Sequence, residues 1–168
     1  GVIAIARRPA PTAVAAGAAG AAGAGPVVLL DAPRHLGNVG AAIRVAAAAD
    51  AAALVVLGAA DPWHPTAVRG AAGLQFALPC LRLDALPDDA GPLVAFTSEG
   101  APLDQVTWPP GAWLAFGSER RGLGPAVRAA AALAVAIPMR AGVSSLNLAT
   151  AVAVALYAGR SAARADAR

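Results

Sequence analysis

The sequence predicts an α/β domain in which a mostly parallel sheet carries helices on both faces. Short apolar runs alternate with helical segments along most of the chain, and this alternation is typical of a parallel sheet that is buried on both sides. Several of the runs also end in polar, glycine-containing loops. Because ligands bind beyond the carboxyl ends of the strands in such sheets, these loops are the first place to look for a site. The 168 residues fit one such domain.

The first 26 residues differ in composition from the rest of the chain. The opening GVIAIA has enough β-branched residues for a strand, and residues 13–25 are a low-complexity run of Ala and Gly. Glycine weakens any helix that the alanines would begin, so this run is interpreted as a linker. Residues 1–26 are therefore predicted as an N-terminal strand and linker, and residues 27–168 as the main domain.

Regular elements follow the linker. A helix is predicted over residues 39–50, with Asn38 as its N-cap, and a short helix over residues 64–73. The long apolar segment 144–160 opens with the polar sequence SSLN and is predicted as the final helix. The predicted strands are VVLL at 27–30, ALVVLG at 53–58, LVAFTSEG at 93–100, WLAFGSE at 113–119 and AVAIPM at 134–139.

Composition and charge limit the classes of function. All thirteen basic residues are Arg, and the formal net charge is +3, which permits an anionic partner such as nucleic acid without requiring one. A single cysteine, Cys80, excludes a disulfide framework and a cysteine-built metal site, and two histidines are too few for a His-rich metal cluster. No apolar run has the length and continuity of a membrane span, and the start lacks the order of a signal peptide. We therefore predict a cytoplasmic protein without a metal.

Three polar segments stand where strands end or helices begin: LGNVGAAIR, FGSERRGLG and SSLN. Each has an ordinary interpretation, namely a helix cap followed by a surface Arg, an ion pair within a loop, and a second helix cap. A nucleotide site of the common kinds is disfavoured, because the G-x-G-x-x-G fingerprint is absent and the chain has no Lys for a P-loop. Three such segments at the strand ends of one small domain nevertheless predict a shared site.

The segments NVGAAIR, GSERRGLG and IPMRAGVSSLNLATAVAVALY resemble, in order and spacing, the three signature motifs of the SpoU/TrmH family, RNA ribose 2'-O-methyltransferases of the SPOUT class. The segment DPWHPTAVRGAAGLQFALP is similar to the one that the family carries between its first and second motifs. The resemblance runs from about Val27 to Tyr157. Family members often carry a substrate-binding domain before the catalytic one, and GVIAIARRP resembles the junction that would follow it.

The resemblance implies a deep trefoil knot in the C-terminal segment, a homodimer, and S-adenosylmethionine as the cofactor, bent within the knotted loops. Matched by motif, the cofactor contacts fall largely on backbone groups. They lie at Thr97, Gly117, Ile137, Met139 and Leu146. On this view a side chain at Gly117 would block the close approach of the cofactor.

The implied reaction moves a methyl group to a ribose 2'-hydroxyl of structured RNA, either tRNA or rRNA. In the family the Arg of the first motif, here Arg44, is proposed to hold the RNA phosphate and to assist loss of the hydroxyl proton. A guanidinium is a poor base in water, so phosphate clamping is the safer expectation and proton acceptance the bolder one. Asn38, Glu119, Ser145 and Asn147 would orient Arg44 and the substrate.

Two other classes of protein remain as alternatives. One is an RNA-binding module that kept this fold and lost the chemistry, and the joint presence of Arg44, Glu119 and Asn147 argues against it. The other is an unknotted Rossmann-like enzyme that acts on a small metabolite. The missing glycine fingerprint and the S-L-N sequence argue against that reading.

Overall fold

The computed structural model describes Arg8 and residues 25–166. Its strands are β1 (Val27–Asp31), β2 (Ala53–Leu57), β3 (Cys80–Leu83), β4 (Leu93–Pro102), β5 (Trp113–Phe116) and β6 (Ala131–Ala136). They form one six-stranded sheet in the order β3-β2-β1-β5-β4-β6, and all paired strands are parallel. The strand predicted over residues 1–6 and the linker up to residue 24 lie outside the described residues.

Helices cover both faces of this sheet. They are α1 (Leu36–Ala48), α2 (Pro65–Ala71), α3 (Pro125–Ala129) and α4 (Leu148–Asp166), with short 3-10 turns at Leu74–Phe76 and Leu103–Gln105. Apolar residues of α1, α2 and α4 pack together in one buried cluster, whereas Val127 of α3 packs in a second cluster. Alternate residues of β1 divide between the two clusters, as the two-residue period of a strand requires. The predicted mostly parallel sheet with helices on both faces is confirmed.

Small residues allow the helices to approach one another closely. Gly40 of α1 faces the backbone of α2, and a Cβ atom at this position would overlap the carbonyl oxygen of Ala67. The absent side chain of Gly40 therefore lets the backbones of α1 and α2 meet. The two helices pack against each other on one face of the sheet.

Several short elements differ from the sequence predictions. β3 and α3 were not predicted, since a four-residue strand and a five-residue helix give too few positions for a periodic pattern. β6 begins at Ala131, three residues before the predicted start at residue 134. The prediction missed this start because alanine has no preference for strand. α4 begins at Leu148, so SSLN precedes the helix instead of forming its first turn. The C-terminal trefoil knot stays a prediction.

Candidate active site

The strand order creates a crevice between β1 and β5. These strands are neighbours, but the chain leaves β1 toward β2 on one side and leaves β5 toward β6 on the other. Such a reversal opens a gap beyond the carboxyl ends of the two strands, where ligands bind in sheets of this kind. The first two polar segments predicted from the sequence follow β1 and β5, so both border this gap.

One chain of hydrogen bonds joins all three polar segments. The amide nitrogen of Asn38 donates to Oε1 of Glu119 over 2.8 Å. The amide nitrogen of Asn147 in turn donates to Oδ1 of Asn38 over 3.1 Å. The backbone N–H of Arg34 donates to the other carboxylate oxygen of Glu119 over 3.4 Å. Residues that are 81 and 109 positions apart in the chain therefore form one polar unit.

Asn38 is not the N-cap that the sequence predicts. Helix α1 begins at Leu36, and the N-cap position is held by His35, whose side chain makes no capping hydrogen bond. The backbone N–H of Asn38 already donates to the carbonyl of His35 over 2.9 Å. Because Asn38 lies within the first turn, its side chain is not used as a cap and is free to join Glu119 and Asn147.

Asn147 has two functions at the start of α4. Its Oδ1 accepts the backbone N–H of Ala149 over 3.0 Å and that of Thr150 over 3.4 Å, which caps the helix. Its amide nitrogen remains available and binds Asn38. The predicted capping of the last helix is therefore confirmed for Asn147, and the same side chain connects that helix to α1.

Glu119 is held as a carboxylate by its surroundings. Partial burial alone would raise the pKa of Glu119. Hydrogen bonds from the Asn38 amide, from its own backbone and from the Arg34 N–H, together with the nearby His35, lower it further than burial raises it. The net pKa lies below the ordinary value of 4.5. A permanent negative charge therefore stands at the centre of the polar unit at neutral pH.

The loop after β5 is a closed turn. Ser118 and Gly122 exchange backbone hydrogen bonds of 3.0 and 2.9 Å, and the Ser118 hydroxyl accepts the N–H of Arg121. A Cβ atom at Gly117 would overlap the backbone of Gly122 and Leu123. The motif resemblance predicts that this glycine leaves room for the approach of a cofactor. The structure gives a nearer reason, since Gly117 lets the turn fold back on its own strand.

Asp31 is a residue that the sequence analysis missed. It ends β1, and its Oδ2 atom accepts the backbone N–H of Gly124 over 2.6 Å. This hydrogen bond ties the end of the second polar loop to the end of the neighbouring strand. The sequence does contain a pattern that could have identified Asp31, namely an acidic residue directly after a buried apolar run. A carboxylate at such a position can accept hydrogen bonds from free backbone N–H groups of an adjacent loop.

A cavity of about 560 Å³ opens beside the polar unit. Its lining includes Glu119, Ser145 and every predicted cofactor contact, namely Thr97, Gly117, Ile137, Met139 and Leu146. Asn38, Arg44 and Asn147 are not part of the lining. Glu119 belongs to both the cavity and the hydrogen-bonded unit, so it lies where the two meet.

The cavity has aromatic and irregular backbone surfaces that the sequence did not reveal. Phe96 and Phe116 stack with ring centroids 4.6 Å apart, and both line the cavity. Phe96 and Ala101 both align with Val135 of β6, so residues 97–100 bulge from the ladder. Part of that bulge also lines the cavity. The bulge thus brings irregular backbone at the end of β4 to the cavity.

Arg44 projects from the exposed surface of α1. It lies six residues beyond Asn38, about 9 Å along the helix axis. Within the described part of the chain its guanidinium has no hydrogen bond and no ion pair. All of its donors are therefore available to a ligand that approaches α1.

Other chemistries find little support among the described residues. Burial raises the pKa of the Cys80 thiol to about 12, so this cysteine stays protonated and unreactive. The described residues hold no cluster of three or more His, Cys, Asp or Glu side chains suited to a metal ion. Nor does the described chain contain a helix long and apolar enough to span a membrane.

Comparison with known proteins gives the family. The model of the SpoU rRNA methylase family matches residues 25–157, which include the polar unit and the cavity lining. The chain belongs to the SpoU rRNA methylase family. The resemblance read from the three motifs is thereby confirmed.

Curated relatives of this chain are named as methyltransferases of different RNAs. The chain is 35% identical over 146 residues to a 23S rRNA (uridine(2479)-2'-O)-methyltransferase from Streptomyces viridochromogenes, with 77% of this chain and 50% of the relative covered. It is 42% identical over 78 residues to a tRNA (cytidine(34)-2'-O)-methyltransferase from a Polaromonas species, with 45% of this chain and 48% of the relative covered. The chain thus spans about half the length of these curated relatives.

A solved SpoU structure shares the fold and carries a ligand. The SpoU methyltransferase AviRb from Streptomyces viridochromogenes, in complex with the cofactor AdoMet, aligns with a TM-score of 0.77 at 32% identity. The alignment covers 84% of this chain and 62% of that one. A relative that shares this fold has therefore been solved with the cofactor AdoMet bound.

Proposed function

We propose that this chain is an S-adenosylmethionine-dependent methyltransferase that modifies a ribose 2'-hydroxyl of structured RNA. The observation that carries the proposal is the meeting of the cavity and the polar unit at Glu119. One side offers a pocket for a small cofactor, and the other offers fixed polar groups beside an exposed Arg. Methyl transfer between two bound partners needs such adjoining sites, since positioning supplies much of the rate.

The cavity residues fit S-adenosylmethionine. A volume of about 560 Å³ lies within the range of small-molecule sites. Phe96, Phe116, Ile137 and Leu146 provide apolar surface for an adenine ring. Glu99 and Glu119 belong to the same lining, and their negative charges would favour a cofactor that carries a sulfonium and an ammonium group. When bound, the cofactor would supply an electrophilic methyl group.

The polar unit, together with Arg44 and Ser145, would act on the RNA side of the reaction. Arg44 would hold a phosphate beside the target ribose and stabilise the oxygen as its proton leaves. Asn38 and Glu119 would fix the first turn of α1, and hence the direction in which Arg44 projects. Ser145, which lines the cavity near Leu146, would accept or donate a hydrogen bond to the ribose.

Charge supports an RNA substrate. Arg34, Arg120, Arg121 and Arg140 are exposed on the loops around the site, and among the described residues none of the four has an ion pair. Guanidinium groups of this kind bind phosphate in a two-point geometry. A tRNA or an rRNA is the proposed target, in line with the relatives, and we infer a cytoplasmic location from it.

The apolar outer face of α4 supports a homodimer. Val154 is 36% exposed and Tyr157 is 50% exposed, and the two lie three residues apart on one side of the helix. Val143 and Leu146, in the segment before α4, are also exposed. Adjacent apolar residues on an outer helix face favour burial against another surface. A second copy of this chain is the proposed partner.

Transfer of a labelled methyl group tests the proposal. The protein is incubated with S-adenosylmethionine labelled in the methyl group and with total RNA, and label that precipitates with RNA is counted. Label should accumulate and should disappear after ribonuclease treatment. A protein that binds both RNA and cofactor, yet transfers no label to any RNA tested, would instead support the inactive binding module.

A further inference from the structure

Arg128 is a charged group of the cavity that the reaction described above does not use. It lies in the last turn of α3, and its side chain lines the cavity. Helix α3 packs on the sheet face opposite to α1 and α4. Arg128 therefore approaches the cavity from the side away from Arg44 and the RNA-facing residues.

The guanidinium of Arg128 is held in place by the loop. Its Nε atom donates to the carbonyl oxygen of Leu123 over 3.0 Å, and its Nη2 atom lies 3.4 Å from the position that a Cβ atom on Gly122 would occupy. One edge of the planar group is thereby fixed, while the two Nη groups keep free donors. A side chain fixed in this way loses little conformational entropy when it binds a ligand.

No carboxylate neutralises Arg128 in the described part of the chain. The ion pairs found there join Arg8 to Asp61, Arg82 to Asp84, and Arg160 to Asp50. Glu99 and Glu119 also line the cavity, but neither contacts Arg128 within ion-pair distance. The cavity thus contains a positioned, solvent-accessible cation whose Nη groups are available to an anionic ligand.

We propose that Arg128 binds the α-carboxylate of the methionine portion of S-adenosylmethionine. This inference rests on the proposed function. The carboxylate is the only anionic group of that cofactor, and two parallel N–H donors match its two oxygens. Arg120 also lines the cavity, but it lies next to Glu119 in the loop after β5, and among the described residues no hydrogen bond fixes its guanidinium. Arg128, which is fixed by Leu123, is therefore the better positioned of the two to bind the carboxylate.

Calorimetry with two cofactors tests the assignment. The probes are S-adenosylmethionine and its decarboxylated form, which keeps the sulfonium and the ammonium and lacks only the carboxylate. The wild-type chain should bind the complete cofactor about ten-fold more tightly or better. Arg128→Met should lose that preference, while its affinity for the decarboxylated form stays within about two-fold of wild type. Arg120→Met is the matched control and should keep the wild-type preference.

The other outcomes are each decisive. Equal weakening of both compounds by Arg128→Met would show that Arg128 only supports the loop through Leu123, and would overturn the assignment. An unchanged preference in Arg128→Met, or its loss in Arg120→Met instead, would overturn it as well. A wild-type protein that is folded but binds neither compound would contradict the proposed function itself, and the subsite with it.

Discussion

Asn38 donates a hydrogen bond of 2.8 Å to Glu119, which lies 81 positions further along the chain. The contact joins the first turn of α1 to the loop after β5, and Asn147 extends it to the start of α4. Three segments that are separate in sequence therefore share one set of polar contacts. A substitution of Asn38, Glu119 or Asn147 should therefore alter the hydrogen bonding of the other two side chains.

The pKa of Glu119 predicts how the stability of this unit varies with pH. The folded pKa is lowered below 4.5, so between the two pKa values the unfolded chain binds more protons than the folded one. The stabilisation from the charged carboxylate is therefore fully present above about pH 4.5 and is lost as the pH falls through the folded pKa. The difference in urea midpoint between wild type and Glu119→Gln should be largest near neutral pH and should shrink in acid.

Asn38→Ala is the companion variant for that titration. It removes the hydrogen bond that does most to lower the Glu119 pKa, so the folded pKa moves up toward the unfolded value, and the acid loss of stability should be smaller than in wild type and should end at a higher pH. If the urea midpoint of Asn38→Ala varied with pH as it does in wild type, the Asn38–Glu119 hydrogen bond would contribute nothing to stability. A difference between wild type and Glu119→Gln that does not vary with pH would contradict the lowered pKa.

Gly117 should be sensitive even to a methyl group. Because an added Cβ would overlap the backbone of Gly122 and Leu123, we expect Gly117→Ala to lower the free energy of unfolding by about 1–3 kcal/mol. Thermal unfolding without cofactor measures this. Gly37→Ala is the matched control, since nothing lies within 4 Å of its added Cβ and alanine favours the helix by about 0.5–1 kcal/mol. Unchanged stability in Gly117→Ala would mean that this glycine serves only ligand approach.

The apolar face of α4 predicts the oligomeric state. Wild type should sediment as a dimer at micromolar concentration, about twice 16.3 kDa, and Val154→Glu should shift it toward monomer because a charge cannot be buried unpaired in the interface. Thr66→Glu, an exposed change in the first turn of α2, should leave the dimer intact. A wild-type monomer, or a dimer that tolerates Val154→Glu, would remove this face from the interface.

Arg44 should be the most sensitive residue for turnover. Arg44→Ala should lower single-turnover methyl transfer to RNA by ~10²–10⁴-fold while cofactor affinity stays nearly unchanged, since Arg44 is not part of the cavity lining. Arg44→Lys should restore little, because an ammonium cannot make the planar two-point contact. Arg69→Ala, an exposed Arg on α2, is the control. A rate within a few-fold of wild type in Arg44→Ala would exclude this residue from the mechanism.

The sequence predicts the sheet and the position of the site because both depend on strong local patterns. Buried strands such as β1 and β2 are uninterrupted apolar runs, and the polar loops follow directly after strands. The motif resemblance then points to five cofactor positions, all of which line one cavity. These features need no knowledge of long-range contacts.

Other features depend on contacts that no local pattern records. The role of Asn38 changes from helix cap to hydrogen-bond partner because the chain brings Glu119 beside it. Asp31 is recognised only once Gly124 lies 2.6 Å away. The reason for Gly117 is likewise a contact within its own loop. In each case tertiary structure decides among roles that the residue type alone leaves open.

The chemical position of the transferred methyl group tests the account most directly. RNA labelled by the enzyme is digested completely with alkali, which cleaves through free 2'-hydroxyl groups and leaves a 2'-O-methylated nucleotide joined to its neighbour. The label should be recovered in alkali-resistant dinucleotides and, after enzymatic digestion, in one 2'-O-methylnucleoside. Label in a methylated base, released as a mononucleotide by alkali, would contradict the ribose assignment, and no incorporation into any RNA would contradict the enzyme itself.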